Sequence, residues 1–307
     1  MDKILIIGVS GLTGYKLAKL SRDNYQVFGT YNYRSLAIEN CELYQLDKTN
    51  KKLTISLLKK INPDVVVDCS ALHNVDYCER NKAETLKVNV DAPKFIAEFC
   101  KEIGARMIYI STDYVYDGKN KSYTEESPPN PLNYYGISKL KGEQEIAKTT
   151  NDYAICRTSL IFGWNPNELL GKTSSSGKSQ NYVIWVLNKL RNGEKVSIVT
   201  DQYSTPTLAD NLAEAILKLS NSKISGIFHT AGGSCVNRFD FTLKIAEVFD
   251  INKDLISPTT SDKFKQVAKR PMRCCLDVSK TENLLNIKFL TIEESLKKMK
   301  QQESNFL

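Results

Sequence analysis

Apolar and polar positions switch between two periods through the first half of the chain. Ile4-Leu5-Ile6-Ile7 is a continuous apolar run, as in a strand buried on both faces, and Leu12 to Leu20 follows with helical spacing. The alternation then repeats. Strands are predicted at 25–30, 43–46, 65–69 and 107–110, with helices at 53–61, ended by Pro63, and at 82–104, ended by Gly104. Strands that take turns with helices predict a parallel sheet with right-handed crossovers and helices on both faces.

The segment from Asp117 to Asn133 is rich in Pro, Ser and Asn and reads as a loop. A helix follows at 134–148 and a sixth strand at 154–157. Beyond Gly163 the pattern loosens. Residues 165–180 hold Gly171, Gly177 and Ser174-Ser175-Ser176, and are expected to form a mobile surface loop. Later helices are predicted at 181–192, 208–219, 238–249 and 292–300. Ser279 with Glu282, and Thr291 with Glu294, have the spacing of capping boxes.

Composition narrows the partners. The chain has 307 residues, 41% hydrophobic and 25% charged, which suits a globular protein of one large domain or a domain plus a smaller lobe. The first apolar run is too short for a signal peptide and reads as a first strand, so a cytoplasmic location is expected; no run reaches the ~18 apolar residues of a membrane span. The net charge of +7 is spread along the chain, with Lys51-Lys52, Lys59-Lys60 and Lys297-Lys298 as solvated helix faces, so neither a nucleic acid nor a membrane is an expected partner. The 8 cysteines include no Cys-x-x-Cys pair and are expected to be free thiols. With only His73 and His229 to join them, no metal site is expected.

Candidate chemistry begins at Gly8-Val9-Ser10-Gly11-Leu12-Thr13-Gly14, between the first strand and the first helix. Glycines there let the backbone approach a pyrophosphate, which the free N–H groups of the helix N-terminus then hold. NAD sites usually carry an acidic residue ~20 positions further on, at the end of the second strand. Here that strand runs into Gly29-Thr30-Tyr31-Asn32-Tyr33-Arg34. A guanidinium at Arg34 would pair with a 2′-phosphate, so NADPH is the expected cofactor and NADH the alternative.

Tyr135 and Lys139 lie four apart on one face of a predicted helix. A free tyrosine, with a pKa of ~10, is a poor acid near neutrality, and a neighbouring ammonium favours its phenolate. The fifth strand ends in Ser111-Thr112, hydroxyls at the sheet edge where open α/β folds bind ligands. Thr112 could hold a substrate carbonyl beside Tyr135, and Ser111 could exchange roles with it.

The glycine loop, Ser111-Thr112-Asp113-Tyr114-Val115-Tyr116-Asp117-Gly118 and Pro131-Leu132-Asn133-Tyr134-Tyr135-Gly136-Ile137-Ser138-Lys139 together resemble the extended short-chain dehydrogenase/reductases, and within them the dTDP-4-dehydrorhamnose reductase family. Asn89-Val90-Asp91-Ala92, Arg157-Thr158-Ser159, Thr205-Pro206-Thr207, Arg270-Pro271 and Leu276-Asp277 extend the likeness over nearly the whole chain. The regulatory beta subunit of methionine adenosyltransferase is similar too.

The resemblance implies Tyr135 as proton donor, Lys139 as its partner and nicotinamide-ribose contact, and Thr112 as third catalytic residue. It implies Gly8, Gly11, Leu12 and Gly14 at the pyrophosphate, Asp47 at the adenine, and Ser70-Ala71 as a cofactor-lining turn. Tyr116 and Arg270 are candidates for the substrate, although Tyr116 could simply pack and Arg270 could form a surface salt bridge. The implied fold is a Rossmann-type doubly wound α/β sheet. Residues 1–160 would bind NAD(P), and 161–307 would form mainly a smaller substrate-binding lobe, with segments such as 181–192 and 208–219 returning to the sheet. The implied reaction reduces dTDP-4-dehydro-6-deoxy-L-mannose, a nucleotide-diphosphate sugar, to dTDP-L-rhamnose. A cofactor-binding regulatory subunit and a nucleotide-sugar epimerase are the alternatives, and a homodimer is left open.

Overall fold

The computed structural model of the chain describes residues 1–164 and 181–305. The expected loop at 165–180 lies outside the described residues. The first half builds β1 (Lys3–Ile7), α1 (Leu12–Ser21), β2 (Gln26–Tyr31), β3 (Cys41–Gln45), α2 (Lys51–Ile61), β4 (Val65–Asp68), α3 (Val75–Arg80), α4 (Lys82–Leu86), α5 (Ala92–Ile103) and β5 (Arg106–Thr112). The 82–104 stretch differs from its sequence pattern, because a π turn at Lys87–Asp91 interrupts the helix between α4 and α5.

The chain continues through α6 (Tyr134–Thr149), β6 (Tyr153–Thr158), β7 (Ile161–Phe162), α7 (Tyr182–Arg191), β8 (Val196–Val199), β9 (Tyr203–Ser204), β10 (Thr207–Leu208), α8 (Ala209–Ser220), β11 (Gly226–His229), β12 (Val236–Asn237), α9 (Arg238–Val248), β13 (Ile256–Thr259), β14 (Arg273–Cys274), α10 (Ser279–Leu285) and α11 (Ile292–Gln301).

Seven strands pair in parallel in the order β11-β6-β5-β4-β1-β2-β3. This is the doubly wound sheet of a Rossmann-type fold, and its order reverses between β1 and β4. Successive residues of β1 serve opposite layers. Ile4 and Ile6 join a core with Leu17, Leu212 and Ile216, while Leu5 and Ile7 join one with Leu58, Phe95 and Phe99. Helix α8 therefore packs with α1 on the main sheet. Helix α7 packs elsewhere: Ile184 and Leu187 share a separate core with Phe241 of α9 and Leu296 and Met299 of α11.

Two sequence expectations are corrected by long-range geometry. Cys235 and Cys275 form a disulfide across the small three-stranded sheet β12-β9-β14, with Cα atoms 5.4 Å apart; the other six cysteines are free. Ser279 caps nothing. It is already the first residue of α10, and its hydroxyl and amide both donate to Asp277 Oδ1, while Glu282 accepts from the amide of Phe289. The Thr291–Glu294 capping box is present. Among the described residues no helix is long and apolar enough to cross a membrane.

Candidate active site

At the reversal point, β1 runs straight into the glycine turn. Gly8 has φ +83°, a left-handed conformation suited to glycine, and a Cβ there would sit 2.9 Å from Ser70 Cβ. A Cβ on Gly14 would lie 2.5 Å from the Gly8 carbonyl oxygen, so α1 packs this close to the turn only with glycine there. Gly11 is the N-cap of α1 and no side chain caps it, so the first-turn N–H groups remain available to a phosphate. Leu12 opens that helix. Ser70 and Ala71 continue from β4 on the other side of the reversal point. The residues present therefore make a cradle that fits a dinucleotide pyrophosphate.

The outer cofactor candidates stand nearby in the chain. Arg34 is three residues past the end of β2 and half-buried. Asp47 is exposed, two residues past β3, and its Oδ1 accepts from the amide and hydroxyl of Thr49.

The catalytic candidates come together where α6 meets the end of β5. Asn133 caps α6 by accepting from the amide of Gly136, and Glu79 accepts from the amide of Tyr134. At Gly136 a Cβ would lie 2.1 Å from the Tyr114 carbonyl oxygen, so only glycine lets the helix press so close. That approach sets Tyr135 against Thr112 and Tyr114. The Thr112 hydroxyl acts electrostatically on the Tyr135 phenol, and the Tyr114 and Tyr135 rings meet edge-to-face at 5.9 Å.

One turn on, Lys139 is buried. Its Nζ donates to the Ile110 carbonyl at 2.7 Å and sits 3.7 Å above the centroid of the Tyr109 ring. Burial, with Lys48 as a neighbouring cation, pulls its pKa down to about 7. Burial pushes the Tyr135 phenol above its usual range, and the Thr112 hydroxyl works in the opposite sense. Both shifts favour the uncharged side chains, so the phenol keeps the proton that a general acid must deliver, while its raised pKa works against delivering it.

Beside this set opens a cleft lined by Asp113, Tyr114, Ser159, Tyr203, Arg238 and Pro271. Asp113 is buried and accepts from Ser159 at 2.6 Å and Thr112 at 3.0 Å; burial raises its pKa to about 6. Tyr116 is placed elsewhere, contrary to its sequence assignment to the substrate. It is fully buried, its hydroxyl shared by Arg157 at 2.7 Å and His229 at 2.8 Å, and Tyr114 faces the cleft in its place. Arg270 is held in an ion pair, with a nitrogen 3.0 Å from Asp76 Oδ1 and 2.7 Å from the Ala268 carbonyl.

Residues that the sequence reading missed hold these parts together. Asn89, in the π turn, donates to the Leu72 carbonyl and to Ser138, and accepts from the Leu72 amide, so it ties the turn after β4 to α6. Lys48 and Asp68 form a buried ion pair of 2.6 Å. Their signal was faint: one carboxylate closing an otherwise apolar strand, Val65-Val66-Val67-Asp68.

A glycine cradle for a pyrophosphate beside a Thr-Tyr-Lys set, on one edge of a doubly wound sheet, defines a dinucleotide-dependent oxidoreductase of the short-chain type. Residues 1–305 match the family described as RmlD substrate binding domain, and the chain belongs to that family. It is 34% identical to the probable low-salt glycan biosynthesis reductase Agl14 of Haloferax volcanii, over 95% of both chains. It is 30% identical to the dTDP-4-dehydrorhamnose reductase of Aggregatibacter actinomycetemcomitans, over 98% of this chain and 99% of that one. Methionine adenosyltransferase 2 subunit beta of Danio rerio is also 30% identical, over 92% of this chain and 84% of that one. Among solved structures, the dTDP-4-dehydrorhamnose reductase of Bacillus anthracis in complex with NADP superposes with a TM-score of 0.82 at 26% identity, covering 98% and 99% of the two chains.

Proposed function

We propose that the protein reduces a nucleotide-linked 4-keto sugar with NADPH, and that its substrate is dTDP-4-dehydrorhamnose. The observation that carries this reading is the approach of Tyr135, one helical turn before Lys139, to Thr112, whose neighbours Asp113 and Tyr114 line a cleft with Arg238. When bound, NADPH would supply the hydride for C4. Thr112 and Tyr135 orient the ketone, the Tyr135 hydroxyl gives its proton to the new alkoxide, and Lys139 stabilises the phenolate left behind. Arg238, with Arg273 stacked 4.3 Å from the Tyr203 ring, suits the diphosphate of the sugar nucleotide. Gly8, Gly11, Leu12 and Gly14 cradle the cofactor pyrophosphate, with Asp47, Ser70 and Ala71 lining its adenosine and nicotinamide ends. We place the enzyme in the cytoplasm, where such substrates are made, with residues 1–160 carrying the cofactor and 161–307 mainly the substrate.

The test is loss of NADPH absorbance with dTDP-4-dehydro-6-deoxy-L-mannose generated in the cuvette. Substrate-dependent oxidation supports the reading. NADPH binding without oxidation overturns it in favour of a regulatory role, and interconversion of two sugar-nucleotide epimers with no net change in the cofactor favours an epimerase.

Arg34 gives a separate expectation. A guanidinium–phosphate contact is worth about 1.5–3 kcal/mol, so Arg34→Ala should raise KM for NADPH by about ten-fold or more. KM for NADH should stay within about two-fold, because NADH lacks the 2′-phosphate. Equal changes for both cofactors would remove Arg34 from the site.

A further inference from the structure

One corner of the sheet holds two ammonium groups and a carboxylate. Lys48, three residues past β3, reaches under the end of β4, where its Nζ lies 2.6 Å from Asp68 Oδ2 and 2.8 Å from the Ser70 carbonyl oxygen. Asp68 is fully buried and Lys48 is 6% exposed. The other carboxylate oxygen, Oδ1, accepts from the Ser70 amide at 3.0 Å and its hydroxyl at 2.7 Å. Lys48 thus holds both ends of the turn whose Ser70 backs directly onto Gly8.

The same pair borders Lys139. In the β4–β5 register Asp68 stands opposite Tyr109, and Tyr109 carries the Lys139 ammonium on its ring. Lys48, Asp68, Glu143 and Cys69 all act electrostatically on Lys139, and the Tyr109 ring lies beneath its ammonium. Glu143 is engaged by Arg157 and Ser111, and burial holds the Cys69 thiol protonated. That leaves the Lys48–Asp68 pair, which among the described residues has no other ion-pair partner, to bear on Lys139 from beyond its own helix. They act in opposite senses: the carboxylate favours the proton on Lys139 and the second ammonium disfavours it.

We propose that Lys48 is a positioning residue for this reductase: through Asp68 it fixes the Ser70–Ala71 turn against the cofactor and stands as a second cation beside the Tyr109 ring that carries Lys139. The inference rests on the reductase reading for its kinetic consequence alone. Removing Lys48 takes away a repulsion and leaves Asp68 unpaired. Both changes favour the Lys139 ammonium, so its titration midpoint rises.

The test is a titration of Lys139 by NMR in protein carrying 13Cε-labelled lysine, with the resonance assigned by its loss in Lys139→Met. Lys48→Met should move the midpoint up by about one unit or more, and Asp68→Asn should move it down. Lys48→Arg, which keeps the cation, should restore the wild-type midpoint. The alkaline limb of kcat/KM should shift with the midpoint in each variant, because that profile reports the free enzyme. NADPH affinity should fall several-fold in Lys48→Met and recover in Lys48→Arg. A Lys139 midpoint that is the same in Lys48→Met and Asp68→Asn as in the wild type overturns the proposal. If the wild type reduces no keto sugar, the reductase reading fails alone, since the NMR midpoints and the NADPH titration still decide the role of Lys48. If Lys48→Met does not fold, the downward shift in Asp68→Asn and the wild-type midpoint in Lys48→Arg decide it.

Discussion

Replacing Tyr135 with phenylalanine should lower kcat by at least about a hundred-fold while NADPH still binds with near wild-type affinity. The ring keeps its edge-to-face contact with Tyr114, so the packing at the start of α6 survives. What goes is the proton that the alkoxide needs and the hydroxyl that meets Thr112. General acid catalysis contributes about two to four orders of magnitude, and the lost orientation of the ketone adds to it. Fluorescence titration with NADPH alongside steady-state turnover separates the two functions. A variant with near-normal kcat would remove Tyr135 as the acid, whatever its place in the fold.

The largest loss of stability should come from Glu143→Ala. The carboxylate lies in the interior and is gripped by Arg157, with Nη2 at 2.6 Å from one oxygen and Nε at 3.1 Å from the other; Ser111 also donates to it. Burial works against the Arg157 charge, but Glu143 outweighs it and holds the guanidinium firmly protonated. Truncating Glu143 leaves that cation stranded, for which buried pairs give about 3–5 kcal/mol of destabilisation. Arg157→Met should cost a similar amount by stranding the carboxylate. The double variant Glu143→Leu with Arg157→Met should recover much of the loss, since apolar replacement of a whole buried pair is often close to neutral. Urea unfolding of the four proteins checks this. Single variants within about 1 kcal/mol of wild type would show that the pair is not the keystone of this interior.

Much of the sheet and of the chemistry was legible along the chain because each depends on neighbours in sequence. The apolar run at β1, the glycine turn and the helical spacing after it are local, and so is the four-residue step from Tyr135 to Lys139. Tyr116 shows the limit. It sits two residues beyond Tyr114 in the same motif, yet its partners Arg157 and His229 come from β6 and β11. Nothing within the motif says which tyrosine faces the cleft. The disulfide joins residues 40 apart that meet only because two strands of two residues each flank β9, and strands that short leave no periodicity to read. Ser279 donates instead to Asp277, two positions earlier, and sits inside the helix rather than at its cap, a choice that spacing alone does not resolve.

The π turn at Lys87–Asp91 gives the length of its segment a meaning apart from its composition. One extra residue is wound into a helix that otherwise follows a regular path, and each α-helical residue turns the chain by about 100°. The insertion aims Asn89 at Leu72 on one side and Ser138 on the other. Deleting any one of the other residues in 87–91 would straighten the helix and swing Asn89 off that line, even with asparagine still present. In comparing related chains, a gap here counts for more than a substitution, because the register of this helix joins the two halves of the site.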